Sequence, residues 1–311
     1  MSSSQVSLAP RLGWIGLGSM GLHMASNLQK YLSKKQGPSL RFHNRTESRG
    51  DPLKQLGGTP STIPDLVSNS DIVFMSLADD SAVESVLDKI LEVGHLNNKI
   101  IVDTSTIQPS SSATAKSRLQ EQGADYVAAP VVGASPIAAK AQLLWILAGK
   151  ESSIEAVRPY ITGVMGKGIV PTGNDVRQAS YLKAVANTLS MGMVEVVGVA
   201  HTLGEKAGLG IKTVEALLQE QIGPVGLMVS NRLTSGAYMP PRGERPCRKA
   251  SLKSGTQPKL LSLILQQLEQ AVDYAEAADR QVDASAIYGV IRKDAGLSFE
   301  TDQVKKRDGS M

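Results

Sequence analysis

At 311 residues, 41% of them apolar and 20% charged, the chain can bury the core of one large domain or two ordinary ones. Lysine and arginine exceed the acids by only four charges, spread along the chain, which excludes the basic footprint of a nucleic-acid partner. Its single cysteine, Cys247, excludes an internal disulfide and any thiolate metal cluster.

The first half alternates short apolar runs with amphipathic segments. Strands are predicted at 12–17, 40–43, 72–77, 99–103, 126–129 and 143–148. Helices are predicted between them, at 20–32, 62–68, 82–91 and 110–122. Strands separated by helices of this length imply right-handed crossovers and a mostly parallel sheet, covered on both faces. Near Gly173-Asn174-Asp175 the pattern changes, and 178–209 reads as one long helix, apolar almost all round and so expected to be buried. Beyond residue 209 the chain reads as helix and loop, with an irregular Pro-, Gly- and Arg-rich stretch at 240–258 and a frayed, charged tail from Thr301. The expected organisation is an α/β, doubly wound domain over 1–175, then a long interdomain helix and an all-helical domain, together 176–311. The polar, serine-rich start lacks a secretory pattern, and the most apolar run, 143–148, is too short to span a bilayer. A cytoplasmic protein without a membrane partner is expected.

Gly16-Leu17-Gly18-Ser19-Met20-Gly21 follows the first strand and opens the first helix. In that context the first glycine allows the tight turn, the second lets backbone approach a pyrophosphate, and the third lets helix and strand pack closely. The helix N-terminus adds free N–H groups and a positive dipole end. A nicotinamide dinucleotide is the implied ligand. The second strand ends in Phe42-His43-Asn44-Arg45-Thr46, with no carboxylate before Glu47 to accept from a ribose 2′-hydroxyl. Arg45, with Asn44 and Thr46, suits a 2′-phosphate instead, so NADP(H) is favoured over NAD(H); the alternative is a solvated loop arginine. Leu77 and Ala78, closing the strand at 72–77, and Thr106 complete the expected cofactor contacts.

Lys183 is the only charged residue in Ala179-Ser180-Tyr181-Leu182-Lys183-Ala184-Val185-Ala186-Asn187-Thr188-Leu189. Ser180 lies one turn before it and Asn187 one turn after, so all three share a helix side. Burial of such an ammonium lowers its pKa toward useful acid–base work; the alternative is a lysine snorkelling to the surface. Asp103-Thr104-Ser105-Thr106-Ile107-Gln108-Pro109 ends a strand of the predicted sheet, where open α/β folds bind ligands. Ser105 and Thr106 could donate to a carboxylate or to the nicotinamide amide. The same stretch also reads as a helix start capped by Ser or Thr, with Pro109 in the first turn. Ala129-Pro130-Val131-Val132-Gly133-Ala134 is a further turn whose small residues would leave amides open to an anion.

Together, and in this order, these elements resemble the β-hydroxyacid dehydrogenases, which include 3-hydroxyisobutyrate dehydrogenase and, more distantly, 6-phosphogluconate dehydrogenase. The stretch from Gly16 to Leu28 resembles the family's amino-terminal signature, Asp103-Thr104-Ser105-Thr106 its substrate element, and Lys183 with Asn187 its catalytic pair. The resemblance implies hydride transfer between nicotinamide and a small β-hydroxyacid or semialdehyde. Lys183 would assist proton transfer, Asn187 and Ser105 would hold the substrate beside Val132 and Gly133, no metal would be needed, and the helical domain would build a homodimer. Departures bear on the substrate. Val132 stands where the family has a serine, Ala186 where it has an asparagine, and Arg177-Gln178-Ala179-Ser180 where it has glycines. The family's Lys-Asp pair has only Lys253-Ser254 as a counterpart. The substrate is therefore expected to differ from 3-hydroxyisobutyrate. Imine reduction is an alternative, as is nucleotide binding without turnover; imine reductases carry Asp or Tyr in place of Lys183.

Overall fold

The computed structural model describes residues 9–239 and 259–308. The irregular stretch at 240–258, with Cys247, Lys253 and Ser254, lies outside the described residues. The chain forms two compact units, Met1–Ala184 and Val185–Met311.

The first unit is built on a six-stranded sheet in the order β3-β2-β1-β4-β5-β6, every neighbouring pair parallel. Its strands are β1 (Leu12–Ile15), β2 (Arg41–His43), β3 (Thr59–Pro60), β4 (Ile72–Met75), β5 (Ile100–Asp103) and β6 (Asp125–Ala128). All four residues of β1 and of β4 are buried, as strands covered on both faces require. The helices are α1 (Gly21–Lys34), α2 (Asp51–Gln55), α3 (Ile63–Ser68), α4 (Asp80–Leu91) and α5 (Pro109–Gln120). In α1, Met24, Leu28 and Leu32 recur every fourth residue and are buried with Ala25, so one stripe faces the sheet.

One expectation is corrected here. The apolar run at 143–148 does not extend this sheet. It forms β8 (Leu143–Leu147), the centre of a three-stranded sheet with β7 (Val131–Val132) and β9 (Gly166–Pro171). β7 runs antiparallel to β8, and β9 parallel to it. Between β7 and β8 lies only the short α6 (Ser135–Ala139), too little chain for the crossover that would return β8 parallel to β6. Trp145 of β8 meets Phe74 of β4 edge to face, and Phe74 stacks on Trp14 of β1, joining the two sheets in one core. The first unit also contains α7 (Glu151–Val157) and the start of α8 (Val176–Lys206).

The second unit contains the rest of α8 with α9 (Ile211–Gln221), α10 (Pro224–Thr234), α11 (Lys259–Ala277), α12 (Ile287–Asp294) and α13 (Asp302–Arg307). Its described residues hold no strand. Val194, Val197, Leu233, Tyr238, Ile287 and Phe299 are buried in its core. The described part of the tail, 301–308, is not frayed as expected: Thr301 caps α13 by accepting from Val304 N, and Val304 is fully buried.

Helix α8 also departs from expectation, because it is not buried all round. Val185, Leu189, Val196, Val199 and Leu203 are exposed, Leu189 at 70% and Leu203 at 63%. With Gly192 they fall at spacings of three, four and seven residues along one face, an exposed apolar seam rather than a core stripe. By length and composition alone α8 could cross a membrane. Its apolar residues nevertheless divide between this seam and a core-facing side, where Val194 and Val197 are buried beside the polar Glu195 and His201.

Candidate active site

In a parallel sheet the carboxyl ends of all strands share one edge. The loops after β1, β2, β4, β5 and β6 therefore assemble there. The strand order reverses between β1 and β4, which opens a crevice at that point.

The glycine loop follows β1. Gly16 takes φ +94°, and a Cβ on it would lie 2.3 Å from the Ser76 carbonyl oxygen. A Cβ on Gly21 would lie 2.2 Å from the Gly16 carbonyl oxygen, which also accepts from Trp14 Nε1 at 2.9 Å. Gly18 differs, since a Cβ there meets nothing within 4 Å. Packing inside the protein thus demands the first and third glycines, whereas the second leaves a bare backbone facing open space. No side chain caps α1, and no acid occupies its first turn. An open cradle at an uncapped helix start fits a pyrophosphate.

Asn44, expected to grip the cofactor, is committed to the scaffold. Its Oδ1 accepts from Leu17 N at 2.8 Å and its Nδ2 donates to the Thr46 carbonyl at 2.8 Å. It thereby fixes the glycine loop against the turn after β2. Arg45 and Thr46 are exposed. Arg49, not singled out from the sequence, is exposed on the single-turn helix Glu47–Gly50, its N donating to the Thr46 carbonyl at 3.2 Å. Among the described residues, neither Arg45 nor Arg49 joins an ion pair. The signal that could have found Arg49 is its position four residues after Arg45.

After β4, Ser76 N donates to the Ile15 carbonyl and Leu77 N to Ser105 Oγ at 2.9 Å; Ala78 is exposed. After β5, Thr104 donates through both N and Oγ1 to the Met75 carbonyl. Ser105 is buried with its hydroxyl engaged by Leu77 N, so it joins the loop after β4 to the turn after β5. Thr106 is half-exposed. The expected Ser or Thr cap of α5 is absent, because Gln108 occupies the cap position without a side-chain bond. Asp80 at the start of α4 supplies the cap from outside, accepting from Gln108 N at 2.9 Å and from Ser111 Oγ at 2.6 Å.

After β6, the segment 130–134 is not the open turn expected. Val131 and Val132 form β7, and the Pro130 carbonyl accepts from Ile146 N, so much of its backbone is committed to the second sheet. Val132 is half-buried, and Gly133 is exposed with φ +134°.

The first turns of α8 pack on the first unit through buried Val176 and Ala179. Ser180 Oγ lies 2.9 Å from Ser112 Oγ in the first turn of α5, which pins α8 at the ligand edge. Lys183, half-buried, follows about one helical turn later. Asn187 stands a further turn along the helix, in the second unit. No group of three His, Cys, Asp or Glu able to hold a metal occurs among the described residues.

Residues 11–173 match the NAD binding domain of 6-phosphogluconate dehydrogenase. The chain is 30% identical over 296 residues to the NADH-dependent oxidoreductase ucdB of Aspergillus ustus, covering 91% of this chain and 99% of that one. It is 28% identical over 218 residues to the mitochondrial 3-hydroxyisobutyrate dehydrogenase of Drosophila melanogaster, covering 69% of this chain and 64% of that one. The Mycobacterium tuberculosis 3-hydroxyisobutyrate dehydrogenase, solved with L-serine, superposes with a TM-score of 0.72 at 20% identity, covering 91% of this chain and 99% of that one. With an open glycine cradle at the switch point, a family match over more than half of its length and a relative matched nearly end to end, the chain belongs to the β-hydroxyacid dehydrogenase family of NAD(P)-dependent oxidoreductases.

Proposed function

We propose that the protein interconverts a small β-hydroxyacid and its semialdehyde with NADP(H), Lys183 moving the proton at the substrate oxygen. The contact of Ser180 with Ser112 carries this reading, because it holds α8, one turn before Lys183, against the first turn of the helix that follows β5. When bound, the dinucleotide supplies or accepts the hydride. Lys183 Nζ donates to the oxygen during reduction, stabilising its developing negative charge, and takes the proton back during oxidation. Thr106 offers its half-exposed hydroxyl to the nicotinamide amide, and Asn187 follows Lys183 one turn along α8. Val132, half-buried on β7, stands where the family has a serine, which favours a substrate with a hydrocarbon group over one with a second hydroxyl. A lysine ammonium would repel an iminium carbon, which disfavours imine reduction. The test is NADPH oxidation with a panel of semialdehydes and cyclic imines; turnover confined to the imines, or absent altogether, would sink the reading.

The preference for NADP(H) rests on Arg45 and Arg49, two exposed guanidiniums on one turn with no carboxylate partner among the described residues. Charge-assisted bonds to a 2′-phosphate contribute about 1.5–3 kcal/mol, equivalent to about 10- to 100-fold in affinity. The Arg45→Ala/Arg49→Ala double variant is expected to raise the Kd for NADPH by that factor and the Kd for NADH by less than about threefold. Nucleotide titration by fluorescence measures both, and equal losses would assign the arginines to another role.

The exposed α8 seam supports a homodimer in which the helix packs on its counterpart in a second copy, Gly192 allowing close approach. Light scattering is expected to give twice the chain mass of 33.0 kDa for the wild type. Leu189→Glu/Leu203→Glu should give the monomer mass, since it places two charges in an apolar seam. A variant that remains dimeric would move the interface elsewhere.

A further inference from the structure

Trp14 and Trp145 are the chain's two tryptophans, and both are fully buried in the core of the first unit. Their indole N–H groups differ. Trp145 Nε1 has no hydrogen-bond partner among the described residues, whereas Trp14 Nε1 donates to the Gly16 carbonyl at 2.9 Å. That carbonyl belongs to the Gly16–Leu17 peptide, which begins the glycine loop. Its other end is held as well, because Leu17 N donates to Asn44 Oδ1 at 2.8 Å. One peptide is thus gripped at its oxygen by a side chain of β1 and at its nitrogen by a side chain beyond β2. The amide before it is also committed, Gly16 N donating to the His43 carbonyl at 2.9 Å. The next three amides, Gly18, Ser19 and Met20 N, find no acceptor among the described residues.

A peptide is planar, so fixing its oxygen and its nitrogen fixes its tilt, and with it the direction in which the chain leaves toward those three amides. The indole is a firm anchor for this. It stacks on Phe74 with ring centroids 5.5 Å apart, and Phe74 meets Trp145 edge to face at 6.5 Å.

We propose that Trp14 is a positioning residue for the dinucleotide: opposite Asn44, its N–H holds the Gly16–Leu17 peptide in the orientation that aims the amides of 18–20 at the pyrophosphate. The indole is fully buried and acts through the loop, without touching the cofactor. A cradle set in advance does not have to be ordered when the nucleotide arrives. Without the N–H one end of the peptide is released, and binding must then fix the backbone of about one residue, equivalent to about five- to thirtyfold in affinity. The pyrophosphate is common to NADP(H) and NAD(H), so this role is independent of the 2′-phosphate and of the substrate.

The test compares Trp14→Phe with Trp145→Phe, each titrated with NADPH and with NADH by following nucleotide emission. Both substitutions take a similar volume from the same aromatic core, but only the first removes an N–H that is in use. Trp14→Phe should raise the Kd for both nucleotides by an equal factor of about five or more. Trp145→Phe should leave both within about twofold, even where it lowers thermal stability as much. In a double-variant cycle, Trp14→Phe and Asn44→Ala should be non-additive in Kd, because each releases the same peptide. Replacing tryptophan throughout by benzothienylalanine, which has sulfur in place of the N–H, keeps the ring shape. It should reproduce the Trp14→Phe loss, and it keeps the question answerable if Trp14→Phe folds poorly. Unchanged affinity in both the Phe variant and the sulfur analogue would overturn the proposal. Equal losses in Trp14→Phe and Trp145→Phe would overturn it too, since they would reflect a softened core. A loss confined to NADPH would place the effect at the turn after β2 instead.

Discussion

Lys183→Ala is expected to lower kcat by about a thousandfold while leaving the Kd for NADPH within about twofold of the wild type. General acid–base catalysis contributes roughly 10²–10⁴ in rate, and a cation that also stabilises developing alkoxide charge belongs in the upper part of that range. Dinucleotide affinity should survive because the glycine cradle, Asn44 and the turn after β4 are built by other elements. The Ser180–Ser112 contact one turn earlier holds the helix whether or not position 183 carries an amine. The effect should therefore fall on the chemical step alone, and a small primary amine added to the alanine variant should restore part of the rate. Lys183→Arg tests the role further. A guanidinium keeps the charge but gives up its proton far less readily, so this variant should bind substrate and remain slow. If Lys183→Ala kept kcat within about threefold, the lysine would be a surface residue and proton transfer would belong to another group.

The nucleotide half of the site is legible in the sequence because its determinants are local. Gly16, Gly18 and Gly21 occupy fixed positions on one strand–turn–helix unit, and the apolar runs at 12–17, 72–77 and 99–103 mark strands buried in the sheet. Features that depend on distant partners are not legible. Asp80 caps α5 across 28 residues, a role indistinguishable in sequence from an ordinary first-turn acid of α4. The strand at 143–147 leaves the main sheet because β7 and α6 turn the chain back first, and two-residue strands carry almost no periodicity. An apolar helix reads the same whether its face meets a core or a second chain, so sequence alone cannot tell the exposed side of α8 from a buried one. The scaffold roles of Asn44 and Ser105 are not legible either, since their bonds to Leu17 and Leu77 join segments 27 and 28 residues apart.

The three glycines of the loop allow a sharper separation of binding from folding than any other change in the molecule. Gly18→Ala is expected to leave thermal stability within a few degrees of the wild type, because the added Cβ meets nothing within 4 Å. It should nevertheless weaken NADPH and NADH alike, by about tenfold or more, because the methyl stands where backbone must approach the pyrophosphate. Gly21→Ala should behave oppositely. Its Cβ would sit 2.2 Å from the Gly16 carbonyl oxygen, a backbone atom already held by Trp14. Neither partner can swing aside as a side chain would, so α1 must shift away from β1 and open the core around Met24 and Ala25. Overpacking of this kind costs about 1–3 kcal/mol, and a backbone clash lies at the upper end or beyond. Chemical denaturation of the two variants beside the wild type, with nucleotide titration on the folded fraction, checks both halves. Equal destabilisation by the two substitutions would mean that the space beside Gly18 is filled by protein. Retained affinity in Gly18→Ala would mean that the pyrophosphate lies elsewhere along the edge of the sheet.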